Sequence, residues 1–271
     1  MLENILDKIE SLPPLPQTID EIEKFRKKKD KEVDELTKII EKDALVITTL
    51  LKTANSSLFG FRSKVESVGR VINLLGINFT IYVTISETIN NLLSTDLTPY
   101  NIKSEDFIKA STASSNLVNL WVGKIDNEIK DDILLASILQ ETGKFVLSEL
   151  IISRGLLEEF TQKLQSDIDV VTIERELLQM TTSQVTAEIF KYWKLSDELV
   201  HMIEFVDDVK NCKAEYKQKA QYLDVIKTAC NTNSLLSTKS IEKALKKAES
   251  YNFEIEPLKK AIQILQDRIP D

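Results

Sequence analysis

The chain has 271 residues, of which 42% are hydrophobic and 29% charged, so it can bury a substantial core in one large domain or two small ones. Glycine and proline number only six each, which favours helices over a turn-rich sandwich or barrel. The formal net charge of −8 makes general nucleic-acid binding unfavourable, because an acidic surface repels a phosphate backbone. Cys212 and Cys230 have neither CxxC spacing nor nearby histidines, so they indicate no metal site and no redox motif.

The sequence predicts no targeting segment and no membrane span. It opens on an amphipathic segment with acidic residues early, unlike a signal peptide. No apolar run approaches the ~18 residues needed to cross a bilayer. We therefore expect a cytoplasmic protein that does not bind membranes.

Residues 1–95 are predicted to form a lobe of short helices. Asp43 is a predicted N-cap, and Gly76 is a predicted helix end. Residues 78–93 are ambiguous, because part of this stretch alternates like a β-branched strand. The apolar stretch nevertheless continues to Leu93 without a breaker, so we predict a helix there.

Residues 94–104 are the best linker candidate, since polar residues and a proline separate two helical blocks. A second helical lobe is predicted over residues 104–207. A helical tail is predicted over residues 208–271, packing on that second lobe. The predicted fold class is therefore all-α, with two packed helical lobes.

Five short motifs follow one another within the first 76 residues. They are Leu12-Pro13-Pro14-Leu15-Pro16, Ile40-Glu41-Lys42-Asp43, Leu50 to Asn55-Ser56 with the Phe59-Gly60 turn after it, Val65 to Val68, and Leu74-Leu75-Gly76. In this order they resemble the HDOD family, a bacterial regulatory relative of the HD and HD-GYP phosphohydrolases. Ala44 stands where that family usually has proline.

These motifs also have physical reasons that do not depend on the family. The prolines of the first motif fix φ and predict an extended strap between two helices. Asp43 can accept hydrogen bonds from free N–H groups at a helix start, and Asn55 can replace backbone turns at a helix end. Gly76 and Gly143 are expected to allow sharp corners between helices. A role in specifying the fold is therefore favoured over a binding role.

The second half resembles the HD core with its polar landmarks replaced. Gln140-Glu141, followed by Gly143 and Lys144, stands where catalytic relatives have a His-Asp pair before an apolar residue, glycine and lysine. Trp193 fits a later pattern that begins at Glu174. Six positions correspond to metal ligands of the catalytic relatives: Ala110, Gln140, Glu141, Thr182, Val206 and Asp207. The resemblance covers residues 12–207.

These replacements imply no metal, no cofactor and no catalytic residue. Only Glu141 and Asp207 are ionised among the six, and two carboxylates alone would hold Mg²⁺ weakly. The imidazoles that suit iron, manganese or zinc are missing. The single histidine, His201, is expected to form a surface ion pair with Asp197 or Glu204 rather than act as a pH-sensitive group.

The resemblance implies a non-catalytic signal-transduction or regulatory module that acts through protein contacts. Its partners would be other signalling proteins, and a homo-oligomer is compatible with the sequence. The candidate ligand or partner site is a groove lined by Gln140, Glu141 and Thr182. Two alternatives stay open: a divergent metal-dependent phosphohydrolase or phosphodiesterase acting on nucleotides, and a sensor that binds a nucleotide or small molecule without turnover.

Overall fold

The computed structural model describes residues 2–56, 61, 63–93, 96–166 and 168–267, and these residues form helices and no strands. The α-helices are α1 (Leu2–Glu10), α2 (Gln17–Arg26), α3 (Val33–Ile40), α4 (Ala44–Ala54), α5 (Val68–Leu75), α6 (Ile77–Leu92), α7 (Ser104–Leu120), α8 (Asn127–Leu139), α9 (Gly143–Ser153), α10 (Leu157–Gln165), α11 (Val170–Leu178), α12 (Thr182–Tyr192), α13 (Asp197–Glu204), α14 (Ala214–Ala229), α15 (Thr238–Ser250) and α16 (Ile255–Gln266). Short 3-10 helices occupy Thr98–Tyr100, Val122–Lys124 and Val209–Asn211. The all-α prediction is confirmed.

The chain divides into two compact units, residues 12–94 and residues 1–11 together with 95–271. The sequence predicted a first lobe over residues 1–95, whereas the structure groups the first helix with the larger unit. Helix α1 packs on α9 and α12 of the larger unit. Ile5 and Ile9, one helical turn apart, are buried, and this apolar stripe is the reason that the short helix packs there.

Side-chain caps fix the helices of the unit formed by residues 12–94. The Asp43 carboxylate accepts hydrogen bonds from the backbone N–H groups of Leu45 and Val46, at 2.9 and 3.2 Å, as predicted. Asn55 joins the end of α4 to Val65, because its side chain donates to the Val65 carbonyl and accepts from the Val65 N–H, each at 2.8 Å. Ser56, the next residue, is exposed, and Gly60 lies outside the described residues.

The proline motif and Gly76 act in this unit through their backbone conformations. Residues 13–16 have no regular secondary structure, and Pro16 precedes α2 with φ −53° and ψ 137°, which is extended backbone. Gly76 forms the corner between α5 and α6 with a φ of +82°, a backbone conformation that residues other than glycine rarely adopt.

The ambiguous stretch 78–93 is a helix, α6, as predicted. Its β-branched residues include Thr80 and Thr84, whose hydroxyls donate to the carbonyls four residues earlier at 2.8 and 2.7 Å. These bonds satisfy buried hydroxyls without a neighbouring strand, which is why the strand-like composition is compatible with a helix.

The tail helices complete the core of the larger unit. Helix α14 packs on α8 and α13, and α16 packs on α7. Tyr222 stacks on Phe253, and both rings meet Trp121 edge-on with ring centroids 5.0 and 5.7 Å from its centroid. The hydrophobic area that these aromatic rings bury makes the tail an integral part of this unit.

No single helix among the described residues has the length and apolar composition needed to cross a membrane. The pair Val68–Leu75 and Ile77–Leu92 passes that test only when taken together, with a bend of 118° between the two helices.

Candidate functional site

The six positions predicted to correspond to metal ligands of catalytic relatives lie on several elements of the larger unit. Ala110 lies on α7 and Val206 follows α13, and both are buried apolar side chains. Gln140 and Glu141 follow α8, Thr182 begins α12, and Asp207 follows Val206. The structure brings Glu141 and Asp207 together through a residue that the sequence comparison did not include.

That residue is Lys227, on helix α14. Its ammonium Nζ lies 2.8 and 3.1 Å from the two carboxylate oxygens of Asp207 and 3.3 Å from Oε1 of Glu141. It also donates to the Ser183 hydroxyl at 2.9 Å. The side chain is only 11% exposed. A fixed positive charge therefore lies between the two acidic residues that remain at the former ligand positions.

A second ammonium group joins the same cluster. Lys144, on α9, pairs with the carboxylate of Glu141, and its side chain is 3% exposed. Its Nζ lies 5.2 Å from the ring centroid of Tyr100, within the range of a cation–π contact. Glu141 is thus paired with Lys144, three residues later in the sequence, and with Lys227 from the helical tail.

A third carboxylate, Glu174 on α11, lies fully buried beside these groups. It accepts hydrogen bonds from the Tyr100 hydroxyl at 2.9 Å, from the Thr182 backbone N–H at 2.7 Å and from the Thr182 hydroxyl at 2.5 Å. Thr182 therefore has a structural partner in place of a metal ion.

The N-terminus of α12 explains why carboxylates collect at this point. The first N–H groups of a helix have no partner within the helix, and they carry a partial positive charge. The N–H of Thr182 donates to Glu174, and the N–H of Ser183 approaches Asp207 at 3.4 Å. A capping box at Thr181 and Gln184 satisfies another of these groups.

The pKa shifts follow from burial and from the two lysines. Burial raises the pKa of the Asp207 carboxyl, but Lys227 outweighs burial and lowers this pKa to about 2. Burial likewise opposes ionisation of Glu141, and Lys144 and Lys227 outweigh it and hold its pKa below the ordinary value. Burial raises the pKa of Glu174 above its ordinary value. The two lysines thus favour the charged forms of Glu141 and Asp207, whereas burial opposes ionisation of Glu174.

Burial shifts the pKa values of Tyr100 and Lys227 as well, but at Lys227 the neighbouring carboxylates outweigh it. Burial raises the pKa of Tyr100 well above its ordinary value, and the neighbouring Glu174 adds to this. Burial lowers the pKa of Lys227, but Asp207, Glu141 and Glu174 outweigh it and raise that pKa above its ordinary value. The Lys227 ammonium is therefore held in its charged form.

The close approach of α9 and α12 holds the two halves of the cluster together. A Cβ added at Gly143 would lie 2.3 Å from the Thr182 carbonyl oxygen. The Gly143 N–H donates to the Thr186 hydroxyl at 2.8 Å. Gly143 begins α9 shortly after α8 ends, without a positive φ, and its missing side chain permits the close contact between α9 and α12. Trp193, at the end of α12, is buried.

The residues predicted to line a groove are largely enclosed. Gln140 and Thr182 are each 1% exposed, and the Glu141 side chain is 13% exposed. The Gln140 amide donates only a long hydrogen bond of 3.4 Å to the Ser137 carbonyl, and its Oε1 has no hydrogen-bond partner among the described residues. A groove formed by these three side chains is not open to solvent.

The donor set does not fit a metal ion of the HD type. The Lys227 ammonium lies between Glu141 and Asp207, and it would repel a divalent cation placed there. Within the described residues, no three histidine, cysteine or acidic side chains converge as metal ligands do. His201 lies apart on α13, where Nδ1 contacts the Asp197 backbone carbonyl at 2.7 Å and the ring stacks on Tyr216. The predicted ion pair of His201 with a carboxylate is therefore wrong.

Lys227, Tyr100 and Glu174 are the members of this cluster that sequence reasoning did not assign to a site. Tyr100 belongs to the stretch predicted as a linker, yet it is fully buried. Lys227 directly follows a mostly apolar stretch of α14 that ends at Ile226 and is buried in the structure. That stretch is the sequence signal that places Lys227 near the core. Glu174 was noted only as the start of a pattern.

Comparisons with known proteins agree with this architecture. The family model for the HDOD domain matches residues 12–209. This match covers most of the chain, so the chain belongs to the HDOD family. Lys227 lies beyond the matched residues, so the cation of the cluster comes from the helical tail.

A curated relative is an uncharacterized protein of Treponema pallidum (strain Nichols), 20% identical over 216 residues. The match covers 79% of this chain but only 41% of the relative. The chain thus spans about two fifths of that relative's length.

Two solved structures share the fold. A provisionally named signal transduction protein from Marinobacter aquaeolei VT8 has a TM-score of 0.72 and 17% identity, with 96% of this chain and 58% of that chain covered. A provisionally named phosphohydrolase from Shewanella amazonensis SB2B has a TM-score of 0.68 and 17% identity, with 97% and 93% covered. At these identities the likeness concerns the fold alone.

Proposed function

We propose that this chain is a non-catalytic HDOD module of signal transduction or regulation, in which a network of ion pairs has replaced the HD metal site. One observation carries the proposal: the Lys227 ammonium lies between Glu141 and Asp207, the two acidic residues at former ligand positions. Metal-assisted hydrolysis needs a cation with an open coordination position that activates water. An ammonium group has no such position and cannot polarise a phosphoryl oxygen as a Lewis acid does.

The other members of the cluster support the same conclusion. Glu174 and Thr182 are bonded to each other, and Lys144 is paired with Glu141. These four side chains thus make contacts that join helices to one another. A candidate active site would need convergent groups in distinct roles around space for a substrate.

The regulatory role rests on the family and on a structural relative. The family match, with the resemblance of its motifs to a regulatory relative of the HD phosphohydrolases, implies such a role, and one neighbour of the same fold is provisionally named for signal transduction. We propose that the chain acts in the cytoplasm through contacts with other signalling proteins or with a second copy of itself, and without nucleic acid or membrane.

The catalytic part is tested by metal content and hydrolysis in the same preparation. The purified chain is incubated with Mn²⁺, Fe²⁺, Mg²⁺ or Zn²⁺, desalted, and analysed for bound metal and for hydrolysis of bis(p-nitrophenyl) phosphate. We expect no stoichiometric metal and no hydrolysis above the protein-free control. One or two metal ions per chain, with hydrolysis that Glu141→Gln abolishes, would contradict the proposal. Glu128→Gln, on the exposed start of α8, is the matched control.

The partner part is tested in the cells that encode the chain. Crosslinking followed by mass spectrometry should recover species that contain the chain together with a signalling protein or a second copy. Recovery of the uncrosslinked chain alone, under conditions that crosslink known complexes in the same cells, would contradict it.

A further inference from the structure

A cavity of about 430 Å³ lies beside the charge cluster in the larger unit. Described residues at the end of α10 and at the start of α11 line one part of it, and α14 and α15 line another. Asp207 and Lys227 belong both to the cluster and to the cavity lining. The volume falls in the range of about 300–1,000 Å³ that is usual for small-molecule sites.

Lysines outnumber acidic residues in the lining. The lysines are Lys227, Lys239, Lys243 and Lys247, and the acidic residues are Asp169, Asp207 and Asp224. This is an unusual balance in a chain whose acidic residues outnumber its lysines and arginines by 43 to 35. The cavity is therefore a local exception to the acidic character of the protein.

The three aspartates are already engaged. Asp207 is paired with Lys227. Asp224 accepts hydrogen bonds from Lys247 at 2.5 Å and from the Tyr251 hydroxyl at 2.7 Å. Asp169 caps α11 by accepting from the Val171 N–H at 3.0 Å. None of these carboxylates is aimed at Lys243.

Lys243 is the cation that these interactions leave over. It lies four residues after Lys239 and four before Lys247, so the three ammonium groups share one face of α15. Like charges at this spacing repel each other. Within the described residues Lys243 forms no ion pair, and it is exposed at the cavity. An anion bound there would relieve this repulsion.

The rest of the lining suits a polar body larger than a bare anion. Asn101 and Gln165 contribute amide groups, and Leu164 and Ile168 contribute apolar surface. Such a mixture of a few polar groups with apolar wall is typical of sites for small organic ligands.

We propose that this cavity binds a small phosphate-bearing molecule of nucleotide size, with Lys243 as the principal residue that recognises the phosphate. The site uses α14 and α15, which lie outside the residues matched by the family model, so it goes beyond the proposed function. The bound molecule would contact the surface of the Lys227–Asp207 pair, and the cluster and the cavity would then share two residues.

The test measures binding of AMP, GMP, inorganic phosphate and adenosine by isothermal titration calorimetry at constant ionic strength. The variants are Lys243→Glu and the matched control Lys246→Glu, an exposed lysine of the same helix that does not line the cavity. Both variants change the net charge equally. We expect saturable binding of at least one nucleotide that Lys243→Glu weakens by about tenfold or more and that Lys246→Glu leaves nearly unchanged.

Three results would overturn the inference. The first is that neither AMP nor GMP binds saturably. The second is that Lys243→Glu and Lys246→Glu weaken nucleotide binding equally, and the third is that adenosine binds as tightly as AMP. Inorganic phosphate bound as tightly as the nucleotides would overturn the assigned ligand size. Hydrolysis of a bound nucleotide would contradict the proposed function and leave the binding site standing, so the two failures are distinguishable.

Discussion

Helix α14 carries two lysines that are each held between two carboxylates, and the two sites differ in burial. Lys219 pairs with Asp132 at 2.7 Å and with Glu198, whose side chains are 37% and 42% exposed. Lys227, two turns further along, pairs with Asp207 at 2.8 Å and Glu141 at 3.3 Å, whose side chains are 4% and 13% exposed. The same residue types on the same helix therefore form one surface ion-pair group and one enclosed group.

The comparison shows that burial of the carboxylates, more than the number of pairs, sets the importance of each lysine. Water screens the charges around Lys219, and such surface pairs typically contribute no more than about 1 kcal/mol. Around Lys227 the carboxylates have lost most of their water, so Asp207 depends on the Lys227 ammonium, and Glu141 depends on Lys144 and Lys227 together. Removing the Lys227 ammonium leaves charge in a medium that cannot solvate it.

The largest effect is expected when each lysine is replaced by methionine, which keeps length and removes charge. Lys227→Met should lower the free energy of unfolding by about 3–5 kcal/mol, because it leaves the buried Asp207 carboxylate without its counter-ion and leaves Glu141 with Lys144 alone. Lys219→Met should lower it by at most about 1 kcal/mol. Urea denaturation followed by circular dichroism at neutral pH measures both.

Equal destabilisation by these two variants would break the comparison. It would mean that the environment of Lys227 is as well hydrated as that of Lys219, and the argument for an enclosed cluster would fail with it.

A smaller, pH-dependent effect is expected for Asp207. A carboxyl group whose pKa is lower in the folded state than in the unfolded state stabilises the folded state at pH values above its unfolded-state pKa. This stabilisation is lost as the pH falls through the folded-state pKa. For Asp207 that window runs from the ordinary value of 3.8 down to about 2. The stability difference between the wild type and Asp207→Asn should therefore shrink by roughly 2 kcal/mol between pH 5 and pH 2.

Asp132→Asn is the control for this titration, since Asp132 pairs with Lys219 and its side chain is 37% exposed. Glu174 contributes in the opposite direction, because burial raises its pKa and the folded state is then favoured as the pH falls, and the charge of Asp207 adds to that raised pKa. A difference for Asp207→Asn that stays constant over this pH range would contradict the assigned ion pair.

The smallest effect is expected at Gln140, which is buried next to the cluster but takes little part in it. Its Oε1 has no hydrogen-bond partner among the described residues, and its amide makes one long bond. Gln140→Leu removes this unsatisfied group and should change the free energy of unfolding by less than about 1 kcal/mol, or raise it. Destabilisation by about 3 kcal/mol or more in thermal and urea unfolding would show that Gln140 has a partner within the cluster.

Local signals in the sequence were sufficient for the helical framework. The scarcity of glycine and proline predicted an all-α fold, and Asp43 caps α4 as expected from its side chain. Gly76 forms the expected corner between α5 and α6. Gly143 lies where α9 begins after α8, but its close approach to α12 depends on a distant segment and could not be predicted from the neighbouring residues.

The sequence by itself also determined that the former ligand positions hold only two ionised groups, Glu141 and Asp207, and that the chain has one histidine. Only the tertiary structure decided what balances those two carboxylates. Packing of α14 on α8 and α13 carries Lys227 from the tail into the cluster, and burial of Tyr100 and Glu174 encloses it. The physical reason is that spacing along a helix reports a residue's own face, whereas the charge at a buried point is the sum over every element that packs around it.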